Sequence, residues 1–182
     1  MEKALGMLEF VSIPKGIEAA DAMRKAADIK LVAAHPVCAG KYIVVIMGEV
    51  AAVQSSLAAG EEISGMKLVD RLIIPNVDPQ VPAAVNMCND FGSIEAVGSI
   101  ETFSLCACLI AADTAVKAAE VNLIEVRLAR GLGGKGFITM TGETAAIESA
   151  IRAVTELPEV QGLVSETVVI PSPHPDVVNT LY

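Results

Sequence analysis

Four cysteines (Cys38, Cys88, Cys106 and Cys108) and two histidines (His35 and His174) are the side chains whose types suit metal or redox chemistry. Thiolates hold zinc and iron–sulfur clusters, but the chain has no C-x2-C run of the kind that builds such a site alone. Cys106 and Cys108 form a C-x-C at the start of an apolar helical pattern, where filling the core is the expected role. Taken alone, Cys38 and Cys88 read as small hydrophobes or loop thiols. His35 and His174 lie beside prolines, in positions suited to capping or to the surface. Gly131-Leu132-Gly133-Gly134 resembles a phosphate loop only superficially, because a strand pattern rather than a helix follows it. No Ser/His/Asp set or carboxylate pair stands out in matching turns, so the sequence does not read as an enzyme.

The elements that must position these groups are written twice. Displacing the chain by 92 residues sets Ala4–Leu31 beside Ala96–Leu123, with 11 of 28 positions identical. Among them are Gly6/Gly98, Glu9/Glu101, Ser12/Ser104, Asp21/Asp113 and Lys25/Lys117. The displacement grows to 94 at Gly40-Lys41/Gly134-Lys135 and to 96 at Ile74-Pro75/Ile170-Pro171 and Pro79/Pro175. Blocks recurring in one order mark a tandem duplication. The domain bounds are expected at 1–90 and 95–182, with a linker over 86–95.

Each copy reads as βαββαβ. Strands are expected at Ala4–Phe10 and Ala96–Thr102, each followed by a helix with apolar residues at i, i+3, i+4 and i+7. Strands then run to about Val37 or Leu128, and further strands cover Tyr42–Met47 or Phe137–Thr141. A second helix starts at Gly48-Glu49 or Gly142-Glu143, and spacing places Val50, Val53 and Leu57 on one face of it. Last strands cover Leu68–Ile74 or Leu163–Ile170 before a Pro-rich stop. The fold class is α/β (α+β): two split βαβ domains, each an antiparallel sheet with helices on one side.

Composition bounds the function. Of 182 residues 53% are hydrophobic but 3% aromatic, with 27 Ala and 14 Gly, which suits closely packed small-residue layers. With 22 acidic against 13 basic residues the net charge is −9, unlike a nucleic-acid binder. Mean hydropathy is +0.55, yet the longest apolar run, Leu105 to Ala112, is far short of the ~20 residues that span a bilayer. The start has no basic region followed by an apolar run, so a cytoplasmic location with reduced thiols is expected.

The blocks Ala4-Leu5-Gly6-Met7-Leu8-Glu9, Ala19–Ala27, Gly48-Glu49-Val50-Ala51-Ala52-Val53 and Ile170-Pro171-Ser172-Pro173-His174-Pro175, with their second-copy counterparts, resemble bacterial microcompartment shell proteins over nearly the whole chain. The resemblance implies a homotrimer whose six domains imitate a hexameric tile around a central pore, packed among other shell proteins in a cytoplasmic compartment. It places the pore loops at Val37, Cys38, Ala39, Gly40 and Lys41 and at Arg130, Gly131, Leu132 and Gly133. Cys38-Ala39-Gly40 at this place resembles the iron–sulfur trimeric shell proteins of propanediol-utilising compartments, which implies one [4Fe–4S] cluster per trimer on the threefold axis, held by three Cys38 thiolates. Lys41 and Arg130 would offset its charge, and enclosed redox enzymes would be the partners. Lys25 and Lys117 match the family's tile-edge lysine, although Asn76 and Ser172 stand where its Arg partner is usual. The alternatives are a metal-free tile whose pore passes small molecules and a sensor that binds a small effector.

Overall fold

The computed structural model describes residues 3–181, and the chain divides between Val77 and Asp78 into two compact units. The first contains β1 (Ala4–Phe10), α1 (Ile13–Ala26), β2 (Lys30–Val37), β3 (Lys41–Gly48), α2 (Val50–Ser64), a 3₁₀ turn and β4 (Leu68–Ile74). The second opens with a short helix, α3 (Gln80–Val85), which the sequence reads as part of a Pro-rich stop. It continues with β5 (Ala96–Thr102), α4 (Leu105–Ala118), β6 (Asn122–Leu128), β7 (Gly136–Gly142), α5 (Thr144–Thr155), a 3₁₀ turn, β8 (Val164–Ile170) and α6 (Pro175–Val178). The sheets are antiparallel, in the orders β2-β3-β1-β4 and β6-β7-β5-β8. Two βαββαβ units are thus present, as the duplication requires.

The repeated residues explain the repeated geometry. Ser12 and Ser104 stand in extended backbone and accept from the Lys15 and Ala107 N–H, starting α1 and α4. Both edge strands carry a bulge at the same place, between Leu31 and Ala33 and between Leu123 and Glu125. Side chains alternate along a strand. Ala4, Leu8 and Phe10 of β1 and Tyr42, Val44 and Ile46 of β3 therefore share one core with Ala19 and Met23 of α1 and Val53 and Leu57 of α2. Val50, the first residue of α2, is 37% exposed.

Close approach of the helices depends on missing side chains. A Cβ on Gly16 would lie 2.4–2.6 Å from the Tyr42 side chain, so that ring packs directly on the α1 backbone. Gly16→Ala is expected to cost ~1–3 kcal/mol by overpacking, read as a lowered thermal midpoint.

The segment after Val77 is stapled to the second unit. The Asp78 N–H donates to Asp113 Oδ1 at 2.8 Å, and Leu123 N donates to Gln80 Oε1 at 2.9 Å. Gln80 Nε2 donates to the Val121 carbonyl at 3.4 Å, and Asn89 Nδ2 to the Leu123 carbonyl at 2.9 Å. Two polar side chains thus satisfy backbone groups of edge strand β6 where a further strand would otherwise lie. Val81 and Ala84 of α3 are fully buried beneath them.

Candidate functional site

The hairpin between β2 and β3 pairs Val37 with Lys41 and leaves Cys38, Ala39 and Gly40 as its tip. Val37 is buried, Cys38 is half-buried, and Ala39 and Gly40 are exposed. Ala39 (φ 63°) and Gly40 (φ 71°) are both left-handed, which costs an alanine ~1–2 kcal/mol and reverses the chain within three residues. A Cβ on Gly40 would meet nothing within 4 Å, so the space beside the Cys38 tip is open.

At the base of the tip, Lys41 Nζ donates to Glu9 Oε1 at 2.8 Å, and the Glu9 side chain is only 4% exposed. Lys41, which the resemblance places in the pore loop, thus bonds β1 across the sheet. The second unit repeats the device: Lys135 Nζ donates to Glu101 Oε2 at 2.9 Å and lies 6.0 Å from the Phe103 ring centroid. The hydrogen bond from Lys135, with one from Ser165, holds the Glu101 carboxyl below its usual range. Sequence reasoning missed these pairs, although all four residues recur in register between the copies.

The loop between β6 and β7 is longer and built differently. Ala129 (φ 54°) is buried, and its N–H donates to the Lys135 carbonyl at 3.0 Å, while Lys135 N donates to the Leu132 carbonyl at 3.2 Å. Gly131, Gly133 and Gly134 are all left-handed, and Arg130 is exposed at the tip beside half-buried Leu132. The glycine run joins two strands, and no helix follows it to bind a phosphate.

The remaining thiols are separated from this site by burial or position. Cys106 and Cys108 fill the first turn of α4 at 6% and 0% exposure, and burial pushes the Cys108 thiol up to about 12. Cys88 is exposed, with its thiol donating to the Asn86 carbonyl at 3.3 Å. No cysteine is in a disulfide, and among the described residues no group of three His, Cys, Asp or Glu side chains could hold a metal within one chain. Alkylation at pH 8 of folded protein stripped of metal by a chelator, read by mass, is expected to label Cys38 and Cys88, with Cys106 and Cys108 labelled only after unfolding. His35 lies in β2, with Nδ1 3.1 Å from the Pro36 carbonyl, and His174 caps α6 by accepting from Asp176 N at 3.2 Å.

Lys25 and Lys117 stand at the exposed C-terminal ends of α1 and α4, on Asp21 at 2.5 Å and Asp113 at 2.6 Å. Asn76 and Ser172 are exposed. Among the described residues no helix is long and apolar enough to cross a membrane.

Residues 4–77 and 96–173 match the BMC domain family. The bacterial microcompartment shell protein PduT of Citrobacter freundii is 40% identical over 174 residues, 96% of this chain and 95% of that one. Carboxysome shell protein CcmK1 of Thermosynechococcus vestitus is 45% identical over 62 residues, 34% of this chain and 55% of that one. The crystal structure of a microcompartment protein from Desulfitobacterium hafniense DCB superposes with a TM-score of 0.94 at 47% identity, covering 98% of this chain and 99% of that one. Two four-stranded units, each matched once and in unpermuted order, show that the chain belongs to the BMC domain family, as a tandem-domain structural shell protein of a bacterial microcompartment.

Proposed function

We propose that three copies of this chain close into a tile in which the repeat copies, 1–90 and 95–182, alternate around a central pore, and that the pore holds one [4Fe–4S] cluster on three Cys38 thiolates. The observation that carries this reading is the place of Cys38: a half-buried thiol outside any disulfide, at the tip of a three-residue hairpin with open space beside it. One thiol per chain makes no cluster site, but three around an axis supply three of the four thiolates a cubane normally takes. The donor chemistry fits, since the other cysteines are buried in α4 or lie outside this hairpin. When bound, such a cluster supplies one-electron redox chemistry, suited to carrying electrons across the shell or to delivery to enclosed redox enzymes.

The chain's own contribution is support. The Lys41–Glu9 pair anchors the hairpin base, left-handed Ala39 and Gly40 set the tip, and Val37 buries the strand end beneath it. Arg130, Gly131, Leu132 and Gly133 form the alternating loop, with Arg130 as its cation. Lys25 and Lys117 face neighbouring shell proteins at the tile edge. The test is anaerobic purification with assay of iron and acid-labile sulfide, for which about four of each per three chains is expected. Metal-free trimers would instead favour a pore for small molecules, a reading supported by the exposed, glycine-rich Arg130 loop.

A further inference from the structure

Copy two carries a polar cluster that copy one lacks. Side chains two apart share one face of a strand, so Glu125 and Arg127 of β6 stand on the same side of the sheet. The register sets Glu125 opposite Thr139 and Arg127 opposite Phe137 of β7. At displacements of 92 and 94 the counterparts in copy one are Ala33 and His35 of β2 and Val45 and Ile43 of β3, paired in the same register. The two sheets are built alike, so the fold alone does not call for the charged pair.

The cluster holds its guanidinium in place. The Glu125 side chain is 7% exposed and accepts from Arg127 Nε at 2.5 Å. Arg127 Cζ lies 5.1 Å from the Phe137 ring centroid, and the Arg127 side chain is 39% exposed. With Nε on Glu125, the two terminal nitrogens form the other edge of the planar fork, the edge that takes an oxyanion with two parallel hydrogen bonds.

The cluster opens into a cavity of 290 Å³. Thr139, 6% exposed, adds a hydroxyl to its wall, and Met87 and Leu181 add apolar side chains. Left-handed backbone at Met87 (φ 55°), with its N–H on the Ala84 carbonyl at 3.2 Å, turns the chain toward this wall after α3. Three features select the ligand. The guanidinium calls for an oxyanion, and the buried Glu125 beside it repels a second negative charge, which favours a monoanion over a phosphate dianion. Phe137, Met87 and Leu181 call for an apolar body, and a cavity at the small end of ligand sites admits a short one.

We propose that this cavity binds a short-chain monocarboxylate. The terminal nitrogens of Arg127 donate to its two oxygens, and its hydrocarbon end rests against Phe137, Met87 and Leu181. Glu125 acts through Arg127, as the residue that orients it. The site goes beyond the proposed function: it belongs to the second unit and needs neither the cluster nor three copies, so its failure leaves that reading standing.

The test is titration of the full chain with sodium butyrate, followed by saturation-transfer difference NMR, with 1-butanol and inorganic phosphate for comparison. Butyrate binding is expected to saturate. Butanol, which lacks the carboxylate, and phosphate, which lacks the apolar body, should each bind about tenfold more weakly or worse. Arg127→Met should weaken butyrate binding by about tenfold or more. Because that change leaves Glu125 without its ionic partner, Glu125→Gln combined with Arg127→Met, which buries no charge, is measured beside it. The double variant should show the same loss with unchanged far-UV circular dichroism. Butyrate binding that is absent from the wild-type chain, or undiminished in the double variant, overturns the site. Butanol or phosphate bound as tightly as butyrate overturns the carboxylate as its ligand.

Discussion

Cys38→Ala is expected to remove all bound iron and sulfide from anaerobically purified protein, while Cys88→Ala leaves the content unchanged. The contrast matters because both thiols are accessible. They differ in setting. Cys38 is at the tip of a hairpin with open space beside it, whereas Cys88 follows α3, with its thiol on the Asn86 carbonyl. The fold should be indifferent to the change, since the Cys38 side chain lies in a half-exposed turn and its removal opens no buried cavity. Iron retained in full after Cys38→Ala would end the cluster reading. Iron lost together with the secondary structure would assign Cys38 to folding instead.

The largest stability effect is expected from Lys41→Met. Glu9 is buried and Lys41 is 27% exposed, so removing the cation leaves a carboxylate in the sheet without its ionic partner. Breaking a buried pair from one side costs ~3–5 kcal/mol. The counterpart Lys135→Met should shift the urea midpoint far less, because Lys135 and Glu101 are 41% and 36% exposed and water screens them. Glu9→Gln combined with Lys41→Met should recover most of the loss, since no charge is then buried. Urea denaturation of the four proteins checks the ordering. Equal losses at Lys41 and Lys135 would mean that the first pair is no more desolvated than the second.

Most elements were legible because the sequence states each of them twice. Strands Ala4–Phe10 and Ala96–Thr102 agree with expectation to the residue, since Ser12 and Ser104 fix where the following helices begin. Spacing puts Val50 on one face with Val53 and Leu57, but periodicity does not say how deeply each residue of that face is buried. Helix α3 was hidden for another reason. Its place depends on Gln80 reaching Leu123 and on Asp78 reaching Asp113, contacts 43 and 35 residues away that no local pattern records. At the site, the hairpin tips were legible as the positions where two otherwise similar copies diverge. Their left-handed alanines, Ala39 and Ala129, were not, since glycine is the residue that usually signals such backbone. The commitment of Lys41 to Glu9 was written in the repeat, but only a sheet shows that the two side chains meet.

Helix α3 also sets a timetable for synthesis. Its apolar residues, Val81 and Ala84, leave the ribosome before Leu123 and the rest of β6 exist to cover them. At translation rates of about 5–20 residues per second, the wait is on the order of seconds. The first sheet has ample time to form in that window, while α3 waits for a strand still being made. Slow codons between Val85 and Leu123 would lengthen the exposure and favour capture by chaperones, whereas the same pause after Leu128 would cost nothing at this joint.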